Sequence, residues 1–177
     1  MRITKKSAPI PDCEVAPGLL GYREIDVTAE AGEFELAYRT TATVAAEVGR
    51  YVVTKMTVEQ VEGGPPIQRG ELAKISVEPF IYTAASEILE SRVDGKGKKT
   101  LGSPVPNTEF WDRIMAAGGL TDSDLPELAR LYRFVRLQEG TPTAILAKEL
   151  NLSTATVKRW LAKAVDAGYL TQEERTK

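Results

Sequence analysis

Thr141-Pro-Thr-Ala-Ile-Leu-Ala-Lys-Glu-Leu150 followed by Asn151-Leu-Ser-Thr-Ala-Thr-Val-Lys-Arg-Trp160-Leu-Ala-Lys-Ala-Val-Asp-Ala-Gly-Tyr-Leu170 fixes two helices and the turn between them. Thr141 is an N-cap residue and Pro142 suits the first helical position. Leu146 and Leu150 then fall on one face at a spacing of four. Asn151 holds the turn, because asparagine tolerates a left-handed backbone better than other side-chain-bearing residues. Leu152 plugs that turn and Ser153 caps a further helix. Val157, Trp160, Leu161 and Ala164 form the buried stripe of that helix, which Gly168 ends.

The preceding helix starts at Asp124, with Pro126 in its first turn, and ends at Gly140. Its inward face is Leu128, Leu131, Tyr132 and Val135, and Phe134 and Leu137 make a second apolar face. A surface helix needs only one. The second face therefore requires cover, from the rest of the chain or from a second subunit. Ala147 stands where two of the helices approach closely, a place for a small side chain.

Three helices so spaced have the layout of a helix-turn-helix, which offers one helix end to the major groove of DNA. With the stripe buried, Thr154, Ala155, Lys158 and Arg159 remain on the exposed N-terminal half of the last helix. Arginine or lysine bonds guanine O6 and N7, and small methyl-bearing residues meet the thymine methyl. Ser153 and Thr143 suit phosphate oxygens, with Lys148 and Lys163 as backbone clamps. The competing reading is a three-helix bundle with a polar outer face. The joint requirement for a small residue, a turn and a cap favours DNA.

Residues 143–170 resemble the DNA-reading half of winged-helix and related tri-helical bacterial or phage regulators, including the trailing Ala167-Gly-Tyr-Leu170 that leads into their wing. The resemblance covers about 50 residues from the first helix onward and implies a transcription regulator. Asn151 replaces the commoner glycine. Thr171–Lys177 is too short for a two-stranded wing, so a tri-helical motif without a full wing is expected.

The rest of the chain reads as an α+β unit ahead of this segment. Residues 1–18 hold Pro9, Pro11, Pro17 and Gly18 and read as a loose arm. Ile25 and Val27, then Phe34, Leu36 and Tyr38, alternate with polar residues on either side of Ala31-Gly32, which reads as a hairpin. Arg50–Val61 is a longer strand, with Val52, Met56 and Val58 sharing a face with Thr54. Leu72–Val77 reads as another short strand, and Pro79–Leu89 as a helix. The expected architecture is a small antiparallel sheet with a helix over residues 1–90, serving dimerisation or sensing. A Gly-, Pro- and Lys-rich linker follows over 91–107. A helical domain then fills 108–177, beginning with a short helix at Glu109–Ala117 that contains Phe110, Trp111 and Ile114.

Composition narrows the function. The 177 residues contain no histidine and one cysteine, which removes His-based acid–base catalysis, Ser-His and Cys-His nucleophiles and nearly every zinc site. Gly95-Lys-Gly-Lys98 has neither the spacing nor the ending of a phosphate-binding loop. No catalytic residue, metal site or cofactor is expected. With no apolar run of membrane length and no signal-peptide core, a cytoplasmic location and no membrane partner are expected. The net charge of −2 hides a gradient. Residues 1–90 hold nine Lys/Arg against fourteen Asp/Glu, and residues 125–165 hold seven against three. Double-stranded DNA is the expected partner, bound by a homodimer because one reading helix offers little contact area. The alternatives are a phage or plasmid DNA-binding adaptor for packaging, replication or partition, and a helical protein-interaction module.

Overall fold

The computed structural model describes residues 1–47, 49–93, 97–138 and 141–176. Residues 94–96 of the expected linker, and Gly140 at the expected end of a helix, lie outside them. The strands are β1 (Arg2–Lys6), β2 (Cys13–Ala16), β3 (Leu19–Gly21), β4 (Glu24–Ala29), β5 (Arg39–Glu47), β6 (Arg50–Glu59), β7 (Leu89–Val93) and β8 (Lys99–Gly102). The helices are α1 (Arg69–Leu72), α2 (Glu78–Ala85), α3 (Thr108–Ala117), α4 (Leu125–Gln138), α5 (Pro142–Glu149), α6 (Thr154–Asp166) and α7 (Gln172–Thr176). The chain is α+β, with sheet in its N-terminal part and helices in its C-terminal part. It divides into two compact units, Met1–Val15 with Leu20–Ile88, and Ala16–Leu19 with Leu89–Lys177. Among the described residues no helix is long and apolar enough to cross a membrane.

The first unit is built on an antiparallel sheet of order β1-β4-β5-β6. Strand alternation sends Ile25, Val27, Ala29, Ala42 and Val44 to one face, where all are buried. α2 packs across that face and brings Phe80, Ala84 and Ala85 into the same core. The opposite face is rich in threonine. Thr28 Oγ1 lies 2.9 Å from Thr41 Oγ1 and 3.2 Å from Thr4 Oγ1, and the Thr43 hydroxyl donates to Asp26 Oδ1 at 2.7 Å. Cross-strand hydroxyl pairs of this kind satisfy polar groups without a covering layer.

Several expectations are corrected here. The supposed arm over 1–18 supplies β1 and β2, since paired backbone outweighs its prolines, which fall between strands rather than inside them. The supposed strand at Phe34–Tyr38 begins as a 3-10 turn over Glu33–Glu35. Gly32, at φ 92°, turns the chain there, and Phe34 (φ 52°) and Glu35 (φ 60°) follow in the left-handed region, leaving Phe34 60 % exposed. Leu72–Val77 is not a strand. It follows the short helix α1, and its backbone bonds are helical turns such as Leu72 C=O to Ile75 N–H. In β6 the register slips between Thr43 and Val44, making Thr54 a bulge residue. The alternation reverses across it, so Val53, Met56 and Val58 oppose Val44, Ala42 and Thr40, and Val52 belongs to the other face.

The second unit contains the strands β7 and β8 and the Pro17-Gly18 turn, with Gly18 at φ 77°. The Ser91 N–H donates to Gly18 C=O at 2.9 Å. The expected linker over 91–107 is thus largely structured: β7 and β8 pair antiparallel from Glu90↔Gly102 to Val93↔Lys99. Gly97, at φ 78°, permits the reversal. After α3, the helices α4, α5 and α6 pack on one another. Leu128, Leu146, Val157, Leu161 and Ala164 are fully buried, and each large side chain contributes about 1.5–3 kcal/mol by leaving water.

One close contact in the first unit is testable. The buried Tyr51 hydroxyl accepts from Tyr22 N–H at 3.1 Å and donates to Tyr22 C=O at 3.2 Å. Burial, opposed by that backbone bond, pushes its pKa up to about 12. A Cβ added at Gly21 would lie 2.4 Å from this hydroxyl oxygen. Gly21→Ala is expected to destabilise the fold by about 1–3 kcal/mol through overpacking. Tyr51→Phe is expected to cost about 1–3 kcal/mol by leaving the Tyr22 amide unsatisfied. Because the phenyl ring lacks the clashing oxygen, the double variant should lose less than the sum. Urea melts of the four proteins check this, and strict additivity contradicts the contact.

Candidate nucleic-acid interface

The C-terminal helices owe their limits to local chemistry. Ser153 Oγ accepts the Thr156 N–H at 3.0 Å, so α6 starts at Thr154 with one of its orphan donors satisfied. Asn151 takes φ 51°. Around it, the Leu150 N–H returns to Leu146 C=O and the Leu152 N–H to Ala147 C=O, both at 2.9 Å, which ends α5. Thr141 precedes α5 without a side-chain cap bond, and Pro142 stands in the first turn. The start of α4 departs from the expected Asp124 cap. Thr121 caps a short 3-10 turn over Asp122–Asp124, and the Asp124 carboxylate accepts both the N–H and the hydroxyl of Thr121 at 2.7 Å. Arg113 pairs with the same carboxylate. Burial opposes ionisation of Asp124, but Thr121 and Arg113 outweigh it and hold the carboxyl below its ordinary range.

α6 divides cleanly. Val157, Leu161 and Ala164 are buried, and Thr154, Ala155, Lys158 and Arg159 are exposed together on its N-terminal half. Lys148 is exposed on α5, and Thr143 is half-buried at the N-terminal end of that helix. Lys148, Lys158 and Arg159 make no ion pair among the described residues. Two candidates stand apart from this group. Ser153 is exposed, but its Oγ is engaged by the Thr156 N–H and lies 2.9 Å from Thr156 Oγ1. Lys163 is drawn to the flank of the helix, 4.3 Å from the Trp160 ring centre, with its ammonium donating to Asp122 Oδ1 at 3.1 Å.

The positive charge of residues 125–165 is partly internal. Arg130 pairs with the buried Glu90 of β7 and with Glu127. Arg133 grips both oxygens of Glu174 at 2.6 and 3.1 Å and donates to Tyr169 C=O at 2.8 Å. Arg136 donates to Glu174 C=O at 2.9 Å, and the Tyr132 hydroxyl to the same oxygen at 3.1 Å. These arginines sit at helical spacing on α4 and hold other parts of the unit. Glu127 is three residues from Arg130, but Glu90 and Glu174 lie far away in sequence, so spacing alone gives no sign of those pairings. The apolar faces of α4, with Leu128, Leu131 and Val135 and with Phe134 and Leu137, are all buried within the chain.

No family model, curated protein or solved structure matches this chain. The reading of these helices therefore rests on their own geometry.

Glu174 carries a pH dependence. Burial raises its pKa, but the Arg133 guanidinium and the Thr171 N–H outweigh burial and set the carboxyl below the ordinary 4.5. A depressed carboxyl stabilises the folded state above its unfolded pKa and loses that stabilisation as pH falls through the folded value. The docking of α7 on α4 is thus expected to be complete at neutral pH and to weaken below about pH 4.5. Protection of the amides of residues 172–176, taken relative to the intrinsic exchange rate at each pH, should fall on acidification in the parent. Glu174→Gln should already show low protection there at pH 7, with little further loss on acidification. An unaltered pH profile in that variant contradicts the assignment.

Proposed function

We propose that this chain binds double-stranded DNA through a helix-turn-helix formed by α5 and α6, as a sequence-specific transcription regulator. One observation carries the proposal. The N-terminal half of α6 presents Thr154, Ala155, Lys158 and Arg159 to solvent while the other side of that helix is locked into the core. A helix held this way enters a major groove end-first, and long basic side chains one turn in reach base edges. Lys148 and Thr143 on α5 lie in the element that crosses the backbone in such docking, where charge and hydroxyls suit phosphate. The sequence of the chain is acidic overall, with a pI near 5.4. The attraction must therefore be local, which favours a defined site over indiscriminate coating.

Selection from a random DNA pool, followed by titration on the enriched sequence, tests the proposal. Three basic side chains without an ion pair among the described residues, Lys148, Lys158 and Arg159, predict a slope of log affinity against log salt of about −3 per chain. Arg159→Ala is expected to relax preference at one base pair by about 1–3 kcal/mol while leaving the melting temperature unchanged. Lys148→Ala should weaken all sequences equally and reduce the slope by about one. Absence of an enriched sequence, or parent-like preference in Arg159→Ala, overturns the assignment of α6. Capture of a protein partner with little salt dependence would instead favour a helical interaction module.

A further inference from the structure

We propose that the cleft between β8 and α3 binds a free α-amino acid with an apolar side chain. The cleft, about 530 Å³ and open to solvent, falls in the size range of small-molecule sites. Its lining divides by chemistry. Leu101 and Val105 stand 53 % and 45 % exposed along one wall, and the Phe110 ring lies beneath. Glu109 and Arg113 also line it, four residues apart on α3 and hence on one face of that helix.

At that spacing opposite charges normally meet, yet these two make no ion pair with each other. Arg113 turns instead to the buried Asp124, and its guanidinium lies 5.5 Å from the Phe110 ring centre. It is thereby fixed in place, with a single bonded nitrogen among the described residues and further donors of its planar fork left for a carboxylate. Glu109 is exposed and has no ion pair or side-chain hydrogen bond among the described residues.

The third charged group of the lining, Glu127, pairs with Arg130, which it shares with Glu90. A simple carboxylate ligand would satisfy Arg113 but leave Glu109 beside it as an uncompensated like charge. A ligand carrying an ammonium and a carboxylate on neighbouring atoms satisfies both, and its apolar side chain covers Leu101 and Val105. That combination of charge pair and apolar wall selects the zwitterion over the plain anion.

L-phenylalanine serves as the probe on the full-length chain, read by backbone amide shifts. The expected result is saturable movement confined to amides near Leu101, Phe110 and Arg113. N-acetyl-L-phenylalanine lacks the ammonium and 2-phenylethylamine lacks the carboxylate, and each should bind at least about tenfold more weakly. Arg113→Gln should abolish binding but also disturbs Asp124. Glu109→Gln, at an exposed position without an ion pair among the described residues, keeps the fold and should weaken L-phenylalanine about tenfold while strengthening the N-acetyl compound, whose carboxylate no longer faces a like charge. No saturation, equal binding of the N-acetyl compound, or parent-like affinity in Glu109→Gln overturns the proposal. The readout needs no DNA, so its failure is independent of the reading of α6.

Discussion

The second unit depends on one helix that is buried almost all round. α4 gives Leu128, Leu131, Tyr132 and Val135 to one side and Phe134 and Leu137 to another. Its polar side chains are used up in the same way, Arg130 on Glu90 and Glu127, Arg133 and Arg136 on Glu174. Such a helix cannot rotate or slide without exposing apolar surface and separating buried charges together. Removing one partner of a buried ion pair costs about 3–5 kcal/mol, although exchanging the whole pair for apolar residues is often neutral. The arrangement thus fixes where α4 sits more than it adds to stability. α5 and α6, which pack on α4 and on each other, inherit that fixed position.

This bears on how charge should be counted. Seven basic residues lie between 125 and 165, but the three arginines of α4 face carboxylates and carbonyls of the protein itself. Lys163 leans on Trp160 and Asp122. The charge available to a polyanion is the smaller set on the outer side of α5 and α6. A sum over sequence overstates the electrostatic attraction because it cannot tell a cation facing water from one neutralised inside the fold.

Much of the helical half was legible because its punctuation is local. Pro142, Asn151, Ser153 and Gly168 act within a turn of where they stand, and the bounds of α5 and α6 follow from them. The sheet half was legible where apolar and polar residues alternate, as around Ile25–Val27 and, for its extent but not its faces, Arg50–Glu59, and failed where pairing is decided at a distance. β1 looks like an irregular arm until Ile3 meets Val27. β7 and β8 look like a linker until Glu90 meets Gly102. The bulge at Thr54 leaves no mark in the sequence, yet it exchanges the faces of every β6 residue on one side of it. The exposed members of the candidate interface were placed from the buried stripe of α6 alone. The engagement of Lys163 by Asp122 was not legible, since it joins residues 41 apart.

Both units satisfy their buried polar groups largely from within, but they do so differently, and the difference shapes what each can offer a partner. On the threonine face of the first sheet, Thr4, Thr28 and Thr41 bond to one another and Thr43 bonds to Asp26, so these hydroxyls are engaged with neighbours in their own layer. At the start of α6 the engaged hydroxyls are those of Ser153 and Thr156 at the cap, and the side chains of Thr154, Lys158 and Arg159 project from a capped helix. A partner that meets the first face must compete with existing hydrogen bonds. A partner that meets α6 displaces only water from side chains held on a rigid helix. Less ordering accompanies that contact, and pre-organisation of this kind converts a small contact area into usable affinity. The asymmetry favours the proposed recognition by the C-terminal helices over a contact with the threonine face of the first unit, whose hydroxyls are committed to their own sheet.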